Sequence, residues 1–465
     1  MKYLSTREAS DSLSFTNAVL EGLSRDGGLF VPETLPDFSD HLKQFKTLSY
    51  QDLAFQLFHP FIDGEFSDTD LRKLVGESYS TFSHPNITPL TFHDGFSILE
   101  LYHGPTYAFK DVALQFLAKL FEKILQKEKR QLNILGATSG DTGSAAIYGV
   151  RGKRGINIFM LHPKGKISAI QEKQMTSVLD ENVINIAIQG TFDDGQRIIK
   201  EIFSDLEFKD QYKLGTVNSI NWARVMAQVV YYFYSAFRLW NKYPETPLYF
   251  SVPTGNFGNI YAGYLAGQMG LPIKKLILAT NENDILYRTL TTGVYEIQDV
   301  FTSLSPAMDI QVASNFERFL FDLLGKDGNE VKGKMTALKE SGQFKLSTSQ
   351  LKRARTYFLP MRVDSEQTIN CIREHAEHGL FIDPHTATGV VAANESDYEN
   401  VICLSPAHPA KFKDTVEQAC HKTFPIPKAI EALNHKETKY LAAPPNQEEI
   451  KRIIKNWGYF TNARE

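Results

Sequence analysis

The sequence predicts an α/β protein with mainly parallel sheets, preceded by a small, mostly helical N-terminal domain. Three observations carry that expectation. Beyond residue 95, short apolar runs alternate with helical patterns, as in chains built from parallel strands and crossover helices. The stretch before it lacks the alternation. At 465 residues the chain is also too long for one core, which rarely grows past about 250–300 residues.

Taken in order, Ser14 to Leu23 has helical apolar spacing and ends in a turn at Asp26-Gly27-Gly28. Pro32, Pro36 and Asp37 mark an extended passage. Gln51 to Phe61 and Asp68 to Ser80 read as helices, and Ser83-His84-Pro85-Asn86 interrupts the chain. The strands that follow are Leu132 to Leu135, Ile156 to Leu161, Val183 to Ile188, Leu248 to Val252, Leu276 to Ala279 and Val401 to Leu404. Each is a short apolar run bounded by turn residues, as expected of strands buried on both faces. Ser144 to Val150 is an Ala-rich helix, and the loop Gln189 to Gly195 leads to a helix ending at Phe203. Val225 to Trp240 is the longest greasy stretch, but Gln228, Ser235 and Arg238 interrupt it. It falls short of the roughly 18–20 apolar residues of a membrane span and reads as a buried core helix. Phe316 to Gln350 is polar and irregular, which suggests peripheral helices. The tail from Pro425 to Glu465 closes on an amphipathic helix, Gln447 to Trp457.

The net charge of −4 and the absence of a clustered basic stripe argue against a nucleic-acid partner. Cys371, Cys403 and Cys420 lack metal-ligand spacing and fit a reducing compartment. Met1 to Arg7 is too polar for the apolar core of a secretory signal. A cytoplasmic protein with no membrane partner and no metal is expected.

Two strand–glycine loop–helix junctions are the places for chemistry: Gly136-Ala-Thr-Ser-Gly-Asp-Thr-Gly143 and Pro253-Thr-Gly-Asn-Phe-Gly-Asn259. Ligands of open α/β sheets sit at the carboxyl ends of strands, where helix N-termini offer free N–H groups. Neither loop is a nucleotide motif. Each is a candidate cradle for phosphate or carboxylate, or else a tight turn with no ligand. Asn218-Ser-Ile-Asn-Trp-Ala-Arg224 reads as a helix start, with Asn218 or Ser219 as cap and Arg224 about a turn along. It is a second phosphate seat or only a capped helix. Lys110 follows Phe109 at the head of a helix whose apolar side is Leu114, Phe116, Leu117 and Leu120. A helix N-terminus and an apolar wall both lower a lysine pKa, as a Schiff-base or general-base lysine requires. His162, His385 and His408 sit beside proline and are read as ordinary loop histidines; Asp193-Asp194 is read as a solvated pair in a turn.

With these residues in view, the chain resembles threonine synthase. The matching segments are Gly28-Leu-Phe-Val-Pro32, His103-Gly-Pro-Thr-Tyr-Ala-Phe-Lys-Asp111, Ala137-Thr-Ser-Gly-Asp-Thr-Gly143, Pro163-Lys-Gly-Lys-Ile-Ser168, Asn218-Ser-Ile-Asn221, Ser251-Val-Pro-Thr-Gly-Asn-Phe-Gly258, Ala307-Met-Asp309 and Ala407-His-Pro-Ala-Lys-Phe412. The resemblance implies the type II fold of pyridoxal-phosphate (PLP) enzymes: two α/β domains with parallel sheets around a PLP cleft, plus the N-terminal domain. The division expected is residues 1–95, a smaller α/β domain at 96–215 carrying Lys110, and a larger one at 216–465 carrying the PLP phosphate loop. It implies conversion of O-phospho-L-homoserine and water to L-threonine and phosphate by γ-elimination and β-addition of water, in a monomer. Lys110 would hold PLP as a Schiff base and then shuttle protons. Gly255, Asn256, Phe257, Gly258 and Asn259 would hold the cofactor phosphate, with Asp141 near its 3′-oxygen. Thr138, Ser139, Gly140 and Thr142 would hold the substrate carboxylate, and Asn218, Ser219 and Arg224 the substrate phosphate.

One position departs from the family pattern. A threonine is expected to face the pyridine nitrogen where this chain has Pro406, so Ser405 or a water is expected in that role. Two rival readings share these residues: a related phospho-lyase releasing 2-oxobutyrate, and a non-catalytic protein that keeps the anion pocket.

Overall fold

The computed structural model describes residues 1–7, 12–62 and 64–457. Within them the strands gather into two main sheets, and the expected runs fall where apolar patterning placed them. One sheet has five parallel strands in the order Leu441–Ala443, Val183–Ile188, Ile156–Pro163, Leu132–Ala137, Leu214–Gly215. The other has six, in the order Phe358–Arg362, Ile273–Thr280, Leu248–Pro253, Val401–Ser405, Phe96–Glu100, Leu90–Phe92. Only the edge pair Leu90–Phe92 and Phe96–Glu100 is antiparallel in that sheet.

Strand order decides where a ligand can sit. Leu132–Ala137 has Ile156–Pro163 on one side and Leu214–Gly215 on the other. The chain runs from Leu132–Ala137 on to Ile156–Pro163 on one side, while Leu214–Gly215 is added later on the other, so the strand order reverses at Leu132–Ala137. Leu248–Pro253 likewise lies between Ile273–Thr280 and Val401–Ser405, so the loop at Thr254 lies beside the exit at Pro406. Such reversals open a crevice at the carboxyl ends of the strands. Both glycine loops picked out from the sequence leave from these crevices.

The sheets do not follow the linear division at 95/96 and 215/216. Leu90–Phe92 and Phe96–Glu100 join the six-stranded sheet, and Leu441–Ala443 returns to the five-stranded one. Gln447–Trp457 follows it, burying Ile450, Ile453 and Ile454 against Ile198, Ile199 and Ile202. Residues 458–465 of the tail lie outside the described residues.

The helix Trp222–Lys242 is the central post. Asn221, not Asn218 or Ser219, caps it, its side chain accepting from the Ala223 N–H at 3.1 Å. The cap moves because Asn218 ends the preceding turn, where its carbonyl accepts from Asn221 N–H. N-terminal elements pack on this post and on Lys110–Glu128: Tyr3 meets the Trp222 ring at 6.0 Å and Phe58 meets Phe116 at 4.6 Å. Among the described residues no helix is long and apolar enough to cross a membrane.

Two local expectations need correction. Asp193 and Asp194 lie in the first turn of Phe192–Ser204, where Asp194 and Thr191 form a reciprocal capping box. Phe316–Leu323 is not peripheral but almost wholly buried. Its charges misled because they are paired internally. Glu317 accepts from Arg7 at 2.8 and 2.9 Å, and Arg318 donates to the carbonyls of Phe30 and Ile220.

Candidate active site

Lys110 and Asp141 each open a helix, Lys110–Glu128 and Asp141–Val150, and the two helix starts face one another. The Lys110 amine lies 3.3 Å from Asp141 Oδ2 and 4.9 Å from the Phe109 ring centre. Burial pushes Lys110 below the ordinary lysine value; Asp141 pulls it back, while Lys411 and Arg224 push it further down. Asp141 Oδ1 accepts from Lys411 Nζ at 2.9 Å and from Gln171 Nε2 at 2.8 Å. Burial alone would raise Asp141, but Lys411, Lys110 and these hydrogen bonds hold it well below the usual carboxylate range.

The loop before Asp141 is built around Thr138. Its Oγ1 accepts from the N–H groups of Gly140 and Gly143, both at 2.9 Å. That leaves the hydroxyl proton of Thr138 free to donate. Gly140 has φ 139° and a Cβ there would lie 2.4 Å from the Gln171 side chain, so only glycine fits. Ser139 is exposed and Thr142 half-buried at the mouth of the crevice.

The second loop offers backbone rather than side chains. Phe257 has φ 63°, and its ring is buried against Phe316, Phe319 and Phe358. Asn259 Oδ1 accepts from the hydroxyls of Tyr231 and Tyr232. Gly258–Gln268 begins with no side-chain cap, so its first N–H groups are left without an intrahelical partner beyond the carboxyl end of Leu248–Pro253. A Cβ on Gly255 would lie 2.8 Å from the Ala307 carbonyl and 3.0 Å from Met308 Cα, so the Ala307-Met308 backbone closes on this loop.

Arg224 is buried, with Nη1 donating to the Val217 carbonyl at 2.8 Å and Nε without a partner. No carboxylate pairs with it among the described residues. Burial lowers it to about 10, so it stays charged near neutrality. Asn218 and Ser219 lead into its helix, and Asn315 ties this loop to the other: its Nδ2 donates to the carbonyls of Ser219 at 3.3 Å and Asn256 at 3.2 Å. Ser405 ends its strand with Oγ 2.7 Å from Thr386 Oγ1, which in turn donates to Asp383.

Asn315, Gln171 and Lys411 were not anticipated. Asn315 carries no motif of its own. Lys411 did leave a signal: it is a lysine in the apolar run Ala407-His-Pro-Ala-Lys-Phe412, a context where a charge is buried only if paired.

Known proteins resemble this chain along nearly its whole length. The sequence model described as threonine synthase N terminus matches residues 2–79, that of the pyridoxal-phosphate dependent enzymes matches 84–341, and that of the threonine synthase C-terminal region matches 386–454. The chain is 44% identical to a threonine synthase of Pseudomonas aeruginosa, over 98% of this chain and 99% of that one. It is 48% identical to that of Saccharomyces cerevisiae, over 90% and 88%. The crystal structure of a PLP-bound threonine synthase from Brucella melitensis superposes with a TM-score of 0.94 at 42% identity, over 98% of this chain and 99% of that one. A half-buried lysine on a clamped aspartate, two glycine loops at strand ends and these likenesses agree: the chain belongs to the threonine synthase family of pyridoxal-phosphate-dependent enzymes.

Proposed function

We propose that this chain converts O-phospho-L-homoserine and water to L-threonine and phosphate. The observation that carries the reading is one half-buried amine, Lys110, in a crevice with three separate seats for anions: the Thr138–Thr142 loop, the Gly255–Asn259 loop and the lone guanidinium of Arg224. The substrate brings a carboxylate and a phosphate, and the cofactor brings a second phosphate. Three seats meet three anions.

The residues present fit PLP. Gly255 leaves no room for a side chain beside Ala307, and Gly258–Gln268 presents uncapped N–H groups, as a phosphate cradle requires. When bound, PLP supplies an electron-withdrawing ring that stabilises carbanions on the attached substrate. The protein supplies placement and proton movement. Lys110 would hold the cofactor, and its amine would move protons at the substrate Cα and Cβ. Asp141, kept ionised by Lys411, would be the residue nearest the cofactor's 3′-oxygen. Thr138, Ser139, Gly140 and Thr142 orient the carboxylate, and Asn218, Ser219 and Arg224 receive the phosphate as it leaves. Ser405, beside Pro406 at the end of its strand, is assigned to the ring nitrogen. Its support is a buried hydroxyl already anchored by Thr386.

The same reading takes in a monomeric, cytoplasmic enzyme, organised as an N-terminal unit and two α/β units. Its three cysteines are free and buried, as a reducing compartment favours. The test is a product assay. The protein is loaded with PLP and given O-phospho-L-homoserine, and threonine, 2-oxobutyrate and phosphate are quantified together. Threonine equal to phosphate is expected. Phosphate matched by 2-oxobutyrate makes the chain a lyase, and no phosphate release overturns the reading.

A further inference from the structure

Lys411 is fully buried, with 0% of its side chain exposed, and it belongs to neither glycine loop. Its Nζ donates to three acceptors: Asp141 Oδ1 at 2.9 Å, the Thr106 carbonyl at 2.8 Å and Gln174 Oε1 at 2.9 Å. An ammonium has three donors and no acceptor, so this surrounding fits the charged form; a neutral amine would turn its lone pair on an acceptor. Lys110 has a poorer surrounding: Asp141 Oδ2 at 3.3 Å and the Phe109 ring. Two lysines thus share one carboxylate, and the geometry distributes the protons unequally.

We propose that Lys411 is a positioning residue: a resident ammonium that satisfies Asp141 and thereby leaves Lys110 as the free amine that captures PLP. Capture joins the Lys110 nitrogen to the aldehyde carbon of PLP, and the carbonyl oxygen leaves as water with two protons. Only the unprotonated amine can attack. Without the charge of Lys411, Asp141 would serve Lys110 alone and hold its proton. The other charges facing this cluster are Arg224, from the Trp222–Lys242 helix, and Asp111, one residue along from Lys110. Arg224 favours the free amine. Asp111 accepts from the Thr106 N–H and hydroxyl, at 2.8 Å each, and so is tied to the same residue whose carbonyl accepts from Lys411, rather than paired with Lys110.

The inference rests on Lys110 being the PLP lysine, and the experiment separates the two. Apoprotein is mixed with PLP, and the growth of visible absorbance is followed against pH. In the unaltered protein, capture is expected to reach half its maximal rate well below the pH at which an ordinary lysine titrates. Lys411→Met should shift that midpoint upward by about one unit or more, slowing capture near neutrality about tenfold per unit. The loss should be recovered by raising the pH. Lys411→Arg keeps the charge and should keep the original midpoint. An unchanged midpoint in Lys411→Met overturns the proposal, as does an equal shift in both variants, which would trace the effect to packing. Should Lys411→Met not fold, a midpoint at the ordinary lysine value in the unaltered protein overturns it as well. If no visible absorbance develops at any pH, it is the assignment of Lys110 that fails.

Discussion

The Phe109 N–H donates to the Pro406 carbonyl at 2.7 Å. Beside it the His408 N–H donates to the Tyr107 carbonyl at 3.1 Å, making Ala108 and Ala407 an antiparallel bridge. The residue before Lys110 is thus clamped to a loop from the far end of the sequence. This position uses only the carbonyl of residue 406, which proline keeps; the N–H it lacks is not called on. That explains how Pro406 can stand where the family pattern has a threonine.

Pro406→Thr is therefore expected to preserve the clamp, with stability changed by less than about 1 kcal/mol in thermal unfolding. Ser405→Ala removes a buried hydroxyl from the row Ser405–Thr386–Asp383 and should cost about 1–2 kcal/mol. On the assignment of Ser405 to the ring nitrogen, it should also shift the visible absorbance of bound PLP, which Pro406→Thr should not. A spectrum unmoved by Ser405→Ala removes Ser405 from that role.

Two glycines, one in the loop before a helix and one at that helix's far end, make a matched pair. Gly255→Ala drives a methyl into the backbone of Ala307 and Met308, and backbone cannot rotate aside. We expect a destabilisation of about 1–3 kcal/mol from overpacking and an affinity for PLP at least about tenfold weaker, as titration of the visible absorbance would read. Gly267 lies in the adjoining helix Gly258–Gln268 with nothing within 4 Å of a Cβ. Gly267→Ala should stabilise by up to about 1 kcal/mol, the helix propensity gained, with PLP affinity unchanged.

Much of this was legible in the sequence because the signals were local. The strands Leu132–Ala137 and Leu248–Pro253 are apolar on both faces, and a glycine loop follows each. Lys110 opens its helix where the apolar spacing begins. Elements set by distant partners were not legible. Leu441–Ala443 is only three residues long, and it becomes a strand by pairing with Val183–Ile188. Phe316–Leu323 reads as polar until Arg7 and the carbonyls of Phe30 and Ile220 are seen to take its charges. Asn315 joins two loops through backbone carbonyls, which carry no sequence mark.

Arg224 sets stability against activity. A buried guanidinium without a carboxylate is costly to keep, and among the described residues its Nε has no partner. Arg224→Gln should therefore leave the protein as stable or raise stability by about 1–2 kcal/mol. It should raise KM for the phosphorylated substrate by about 10–100-fold, the worth of a charged hydrogen bond of about 1.5–3 kcal/mol. The visible absorbance of bound PLP should remain. A variant that loses stability and keeps KM would show that the arginine supports the fold rather than the phosphate.

His162 gives the pH dependence of stability a definite sign. It is the next-to-last residue of the strand Ile156–Pro163, fully buried and edge-on to Tyr440 with ring centres 6.3 Å apart. Burial, only partly offset by the Pro163 backbone, pushes it from 6.5 down to about 4. Above about pH 6.5 the ring is neutral folded or unfolded and contributes no slope. Below that, the unfolded chain takes up the proton and the folded one does not, so stability falls as pH drops towards about 4. The full loss is on the order of 3 kcal/mol. Once the folded form also protonates, the slope ends. His162→Gln removes the titrating group, so its unfolding free energy should fall less steeply than that of the unaltered protein between these two pH values. Denaturant unfolding of both proteins across that window makes the comparison, and parallel curves would place the acid sensitivity elsewhere.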